Sequence, residues 1–278
     1  MQPVLKVLQT GPCLTYQGAR RTGQIRNGIG PSGPLDAPSA TRANALLLNP
    51  LTATVIELAL GGVALEVLAD TWIAHTGGLD CANLPPSSAR LARRGEIFRF
   101  LPGTGVWSYI AIPSGFLARQ DFGSTSRHTR ADLGDPIPAG SILNASPAPD
   151  LFPPNIVRRL NPPDRPKSIR VFPAPHTSHF SRPDTLFASP YAVSQKIDRT
   201  GYQLVGGNLQ TSLSIKSLPL VPGCIQVPPS GQPLVTLNDG PTVGGYPLIG
   251  IVHPDDLPTL TQTSPGQSFT FRPTSHSS

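Results

Sequence analysis

Proline and glycine set the strongest limit on what this chain can become: 34 Pro and 27 Gly are spread along 278 residues. Proline removes a backbone donor and clashes with the preceding helical turn, and glycine inside a helix costs about 1 kcal/mol against alanine. Short strands joined by tight turns tolerate such punctuation; long helices do not. Glutamate agrees, because only Glu57, Glu66 and Glu96 occur, whereas long surface helices consume Glu and Lys. The chain is therefore expected to be all-β, with few short helices and length enough for one large or two modest domains.

Strand-like runs are expected at Val4–Leu8, Thr54–Leu60, Ala64–Leu68, Thr71–His75, Ile97–Leu101, Trp107–Ile112 and Ser168–Phe172, with breaks that suit a barrel or a sandwich. One helix is expected over residues 37–48. Asp36 stands at its N-cap, a proline falls in its first turn, and Asn49-Pro50 stops it. Prolines then crowd residues 146–167, which read as an extended connector between an N-terminal domain, 1–145, and a C-terminal domain, 168–278. The last residues, from Thr274 to Ser278, read as a frayed tail.

Composition excludes several classes. The net charge is +6, but Arg90, Arg93 and Arg94 form only a small group, as do Arg158, Arg159, Arg165 and Lys167. No basic stripe interleaved with aromatics appears, so the charge reads as solvated surface and no nucleic-acid partner is expected. Cys13, Cys81 and Cys224 are odd in number and far apart, against a disulfide framework or a zinc site. His176 and His179 are spaced like a ligand pair but lack a third ligand nearby, so no metal is expected. No apolar run reaches the length of a membrane span and no signal peptide opens the chain, so no membrane association and a cytoplasmic location are expected. A phosphate-cradling loop, a Lys-Met attachment site for biotin and a Gly-x-Ser-x-Gly elbow are all missing, so no covalently bound cofactor is expected. Ser32, between Pro31 and Gly33, reads as a turn serine rather than a nucleophile.

The chemistry-bearing segments lie in the C-terminal half: Asp198-Arg199-Thr200-Gly201-Tyr202, Gly223 to Leu234, and Thr242-Val243-Gly244-Gly245-Tyr246-Pro247. Each places Gly, Pro and polar residues between apolar runs, where a β scaffold presents its loops. They read either as ordinary tight turns or as ligand loops. Arg199 offers a planar fork to a carboxylate or amide, beside Asp198, or else sits in a structural ion pair. Gln226 and Gln232 can both donate to and accept from a urea-like or lactam group. Asp239 precedes Thr242, Gly244, Gly245 and Tyr246, where the glycines would let backbone N–H groups approach a ligand.

In this order the segments resemble the allophanate hydrolase subunit 2 family, which includes the C subunit of 5-oxoprolinase and the carboxyltransferase region of urea carboxylase. The N-terminal half is similar too, through Gln17 to Gly23, Pro31-Ser32-Gly33-Pro34-Leu35-Asp36, Ala43-Asn44, Asn49-Pro50, Ile56-Glu57, Gly61-Gly62, Thr76-Gly77 and Gly123-Ser124. The resemblance implies two cyclophilin-like β-barrel domains. It also implies a complex with a protein like the B subunit of 5-oxoprolinase and a larger partner like its A subunit. Such a complex would use ATP to open a cyclic amide such as 5-oxoproline, or act in a related carboxyl or amide transfer, on a small cyclic amide or urea-like substrate. A non-catalytic scaffold that binds the B-like partner is the alternative.

Four positions depart from the pattern the resemblance implies. Gly18 stands where an Asp is usual, Leu218 where an acidic residue is usual, Gly240 where a basic residue is usual and Leu248 where a Lys is usual. Arg199 and Asp239 are the charges left in the matched motifs and are expected to carry catalysis. Asp198, Gln226, Gln232, Thr242, Gly244, Gly245 and Tyr246 are expected to bind substrate on one concave surface. Replacing Arg199 or Asp239 is expected to abolish turnover with the fold intact, and replacing Cys224 or His253 to be mild.

Overall fold

The computed structural model describes residues 1–146, 157–161, 163–211 and 215–274. Two compact units are present: Met1–Arg21 with Ser32–Pro163, and Thr22–Pro31 with Asp164–Ser278. Thr22–Pro31 groups with the second unit, so the division is not a single cut of the chain. Half of the expected connector, residues 147–156 and 162, and the tail beyond Thr274 lie outside the described residues.

The first unit holds strands β1 (Gln2–Thr10), β2 (Cys13–Gln17), β3 (Val55–Ala59), β4 (Val63–Val67), β5 (Thr71–Gly77), β6 (Ser88–Ala92), β7 (Ile97–Phe100), β8 (Trp107–Ala111), β9 (Ile142–Ala145) and β10 (Arg158–Arg159). They form a four-stranded sheet, ordered β7-β4-β1-β9, and a six-stranded sheet, ordered β10-β6-β5-β8-β3-β2. Alternation decides the faces. On β1 and β4, Leu5 pairs with Val67 and Val7 with Leu65, all buried, while Lys6 pairs with Glu66 on the other side. Both sheets feed one apolar core, in which Val4, Leu5 and Leu65 meet Leu14, Ile56, Leu58 and Ile110. Each such side chain contributes about 1.5–3 kcal/mol on burial.

The expected helix is present as α1 (Ala37–Leu46), and its Asp36 cap accepts from the Ser39 backbone N–H at 3.1 Å. It stops two residues earlier than the sequence suggests. The N–H groups of Leu47 and Asn49 both turn back to the Asn44 carbonyl at 3.0 Å, and Leu48 adopts φ +57°. The helix buries small residues (Ser39, Ala40, Ala43) and packs on β5 and β8.

The second unit adds β11 (Ser168–Pro173), α2 (Thr185–Ala188), β12 (Pro190–Ile197), β13 (Gly201–Val205), β14 (Leu218–Pro219), β15 (Cys224–Gln226), β16 (Leu234–Thr236), β17 (Val243–Gly244), β18 (Leu248–Val252), α3 (Leu257–Gln262) and β19 (Ser268–Pro273). Seven strands close a barrel in the order β11-β18-β15-β16-β13-β12-β19, and β14 and β17 form a separate ribbon. Hydrogen-bonded closure is thus seen in this unit, while the first unit closes its core between two sheets. Tyr191, Tyr202, Ile225 and Val235 are fully buried, and the Tyr202 hydroxyl donates to the Thr261 carbonyl at 2.7 Å. Among the described residues no helix is long and apolar enough to cross a membrane.

One buried histidine gives the first unit a pH dependence. His75 bonds the Leu84 carbonyl through Nδ1 at 2.8 Å and the Ser108 hydroxyl through Nε2 at 3.0 Å, while Ser108 accepts from the Leu79 N–H at 2.9 Å. Every group in this relay is satisfied with a neutral ring carrying its proton on Nδ1. Burial pushes the His75 pKa down to about 4 from 6.5. The unfolded chain therefore takes the proton first. Stability is fully present above about pH 6.5 and falls toward about pH 4, by about 3 kcal/mol. Urea titrations across this range should show the loss, and His75→Gln should flatten it; an unchanged slope in the variant would count against this assignment.

Candidate functional site

The C-terminal segments are organised by β16. The Asp198–Thr200 turn that joins β12 to β13 lies beside Thr236, because Gly201 pairs with Thr236. Asp239 follows the same end of the strand, and its N–H donates to the Arg199 carbonyl at 3.0 Å. The two side chains then meet: Arg199 Nε donates to Asp239 Oδ2 at 2.7 Å and Nη2 to Oδ1 at 3.1 Å. With 6% and 3% of their side-chain surfaces exposed, this is a buried two-point ion pair. The alternative the sequence left open for Arg199, a structural pair, is the arrangement found, with Asp239 rather than Asp198 as partner. Asp198 instead serves its own turn, where Oδ1 accepts from the Thr200 N–H at 2.7 Å, the Thr200 hydroxyl at 2.5 Å and the Gly201 N–H at 3.1 Å.

The outer wall of the barrel carries the next group. Ile225 and Val235 point into the core, so Gln226 and Thr236 face outward, yet both are buried. The β14–β17 ribbon covers them. Gln226 Nε2 donates to Thr236 Oγ1 at 3.1 Å, and a Cβ at Gly244 would stand 2.5 Å from Gln226 Oε1 and 2.7 Å from Leu220. Glycine at 244 thus serves close packing of the ribbon on Gln226. The Thr242 carbonyl accepts from the Leu220 N–H at 2.8 Å. Gly245 is open, since a Cβ there would come no closer than 3.7 Å to its nearest neighbour, and Tyr246 is exposed.

Not all of the expected residues share one surface. Gln232 precedes β16, at the end opposite Asp239, where its Oε1 accepts from the Gly206 N–H at 3.3 Å. The crevice that Thr242 lines, with Thr236 and Gly240, holds about 10 Å³, room for no more than one water. The larger cavity of this unit, about 460 Å³, is lined by Asn208, Gln210, Thr211, Ser230 and neighbours, and by none of the expected site residues. Cys224 and His253 are not arranged for chemistry: burial raises the Cys224 thiol above its ordinary range, and His253 Nδ1 accepts from the Asp255 N–H at 3.3 Å, capping a short 3₁₀ turn. Among the described residues no group of three His, Cys, Asp or Glu could hold a metal ion.

The four departures acquire a physical reading. Leu218 and Leu248 pack into one apolar cluster with Ala174, Leu220, Cys224 and Ile251. The two positions where opposite charges were expected are thus neighbours, and both are apolar. A Cβ at Gly240 would stand 2.4 Å from Thr236 Cγ2, 2.7 Å from the Thr200 carbonyl and 2.9 Å from the Leu237 carbonyl, so this backbone admits no side chain there. At Gly18 a Cβ would stand 2.4 Å from Thr125 Oγ1, which is bonded to Thr54 Oγ1 at 2.8 Å.

In the first unit the scattered N-terminal motifs meet around the start of α1. Glu57 Oε2 accepts from the Leu35 N–H and the Tyr109 hydroxyl, each at 2.9 Å, and the Asp36 N–H donates to the Tyr109 oxygen at 2.7 Å. All three side chains are buried, and burial, with the charges of Glu57 and Asp36, holds the Tyr109 pKa well above its ordinary value. Arg21, also buried, donates to the Ser32 hydroxyl at 2.9 Å, to the Asp121 carbonyl at 3.1 Å and to the Ser126 carbonyl. Ser126 Oγ accepts from the Gly18 N–H at 3.0 Å and Ser124 Oγ donates to the Ala19 carbonyl at 2.5 Å. Beneath α1 lies a cavity of about 180 Å³ lined by Gln17, Gly18, Arg20, Ala40, Thr41, Val55 and neighbours. The sequence reading placed none of these among its site residues and took Ser32 for a turn serine, although spacing in the motifs (Gln17, Ser32, Glu57, Ser124) carried the signal.

Because Arg199 and Asp239 neutralise one another in a buried setting, removing one leaves an uncompensated charge, which costs about 3–5 kcal/mol. Arg199→Ala and Asp239→Ala should each destabilise the second unit by that order in chemical denaturation. Arg199→Met with Asp239→Leu should lose much less. This replaces the expectation that single variants leave the fold intact; equal losses in single and double variants would contradict it.

Comparison with known proteins then fixes the family. The chain is 31% identical to the C subunit of 5-oxoprolinase from Escherichia coli K12 over 96% of this chain and 90% of that protein. It is 28% identical to urea amidolyase of Saccharomyces cerevisiae over 93% of this chain but 16% of that one. The crystal structure of Kluyveromyces lactis urea carboxylase superposes with a TM-score of 0.86 at 25% identity, over 99% of this chain and 28% of that chain. Residues 27–273 match the carboxyltransferase domain family, subdomains A and B, and the chain belongs to that family.

Proposed function

We propose that this protein is one component of a complex that uses ATP to open a cyclic amide, with 5-oxoproline as the first substrate to test. The observation that carries this reading is similarity along almost the whole length, in both directions, to one component of 5-oxoprolinase. In this reading a B-like protein and a larger A-like partner complete the active assembly, and the nucleotide is handled outside this chain, which has no phosphate-cradling loop. Arg199 and Asp239 serve turnover by fixing the loops they tie together rather than by touching substrate, since their opposed charges are spent on one another. Gln226, Thr242 and Gly244 belong to the same packed wall, while Tyr246 and Asp198 are exposed to a ligand or a partner.

The scaffold alternative is favoured by one observation: Leu218 and Leu248 form part of an apolar cluster where the resemblance implies charge. Charge aimed at a reacting amide is what such chemistry needs, and an apolar pair cannot supply it.

Copurification from the native source is expected to recover a B-like protein with this chain. The reconstituted complex is expected to hydrolyse 5-oxoproline only with ATP. A complex that assembles fully yet turns over no lactam or urea-like compound would leave the scaffold reading in its place, and a chain recovered alone at native levels would remove both.

A further inference from the structure

The outer face of the four-stranded sheet carries a pattern that the single chain leaves without a partner. Leu5, Leu65, Phe98 and Leu143 point into the core, so their strand neighbours Lys6, Glu66, Ile97 and Ile142 point outward. Register joins these four into one row across the sheet: Ile142 pairs with Lys6, Lys6 with Glu66, and Glu66 with Ile97. The two isoleucines are exposed, and the two charged residues between them are half-buried.

The solvated face of an antiparallel sheet ordinarily alternates to polar residues. This one instead sets a β-branched apolar residue on each edge strand, β7 and β9. Leu8, which follows the core residue Val7 on β1, is exposed as well. The charged centre is also incomplete. Lys6 and Glu66 stand directly opposite each other, where an ion pair would add to the stability of the sheet. Yet among the described residues neither side chain has an ion-pair or hydrogen-bond partner. Both charges are therefore open to a partner outside the chain.

The order of the row decides what fits. Read across the sheet it runs apolar, basic, acidic, apolar. A second copy, turned by a half-rotation about an axis that lies along the strands between β1 and β4, presents the reverse order. Its β9 then lies over β7 and its β1 over β4. Ile142 meets Ile97 of the second copy and Lys6 meets Glu66 of the second copy, and symmetry makes each contact twice. A twisted sheet turned about its strand axis keeps the same saddle, so the two faces nest at the spacing of about 10 Å usual for stacked sheets. A row with two like charges at its centre would repel its own copy; this one attracts it.

We propose that this face is a self-association surface, and that the chain forms a two-fold homodimer through it. Lys6 and Glu66 of one copy pair with Glu66 and Lys6 of the other, between two Ile97–Ile142 contacts. The inference goes beyond the complex-level reading above and stands independently of it, since it concerns the association of this chain with itself and not the reaction.

The test is sedimentation velocity of the full chain over a concentration series. The interface is small, one row with its flanks, so the expected dissociation constant is about 30 micromolar. Lys6→Glu leaves acids at both central positions, and Glu66→Lys leaves bases at both. Each variant alone should associate at least about tenfold more weakly than the wild type. An equimolar mixture of the two should recover the wild-type affinity to within about threefold, because both central pairs are then opposite in charge. Mixing separates contact between copies from contact within the sheet, since repair of an intrachain pair requires both substitutions in the same chain. Ile97→Ser should weaken association by about tenfold, and melting curves establish that each variant is folded. A wild-type chain that stays monomeric at about ten times the expected dissociation constant overturns the inference. So does a dimer indifferent to these substitutions, or a mixture that does not recover. A monomeric chain whose Ile97→Ser variant loses a copurifying B-like protein also overturns it, and gives the face to that partner instead.

Discussion

The first unit depends on a buried carboxylate, Glu57, that accepts from both the Leu35 N–H and the Tyr109 hydroxyl. A charge taken from water is costly unless hydrogen bonds replace its hydration. Here those bonds come from the backbone entering α1 and from β8. The same contacts therefore fix where the helix starts, because Asp36, its cap, bonds Tyr109 through its own N–H. A helix of small residues has little apolar area with which to hold itself, so polar anchoring at its start sets its position over β5 and β8.

The second unit uses charge in the same way. Arg199 and Asp239 hold two loops together at one end of β16. Breaking such a pair is far more costly than exchanging it for an apolar pair, which makes it a tie between loops more than a source of stability. In the same unit, Leu218 and Leu248 show apolar packing where the resemblance implied charge. Gly240 shows a position where the backbone itself forbids a side chain. Three of the four departures are thus explained by packing, and the wall of the barrel is built consistently around them.

Much of the fold was legible in the residues. Pro and Gly density ruled out long helices, the Asp36-to-Pro50 punctuation located α1, and the apolar runs Val4–Leu8 and Ala64–Leu68 marked two strands of the four-stranded sheet. The misses have physical causes. The α1 end depended on the Asn44 carbonyl capturing two later N–H groups, a contact that propensity does not encode. Membership of Thr22–Pro31 in the second unit is a long-range packing outcome in a stretch with no strong local signal. The partners of Asp198, Arg199, Gln226 and Gln232 are not legible in the residues, because side-chain chemistry says what each can bond and not which bonds the protein itself takes.

The sequence by itself determined the all-β class, the position of the main helix and the family, since these rest on local punctuation, apolar runs and ordered motifs. Only the tertiary structure decided that Arg199 is spent on Asp239, that Gln232 lies across β16 from it, and that Arg21 is spent on the Ser32 hydroxyl and the Ser126 carbonyl. The physical reason is the same in each case. A polar side chain's role is set by which partner comes within about 3 Å, and residues 40 or 105 positions apart in the chain are brought together only by the packing of sheets and helix.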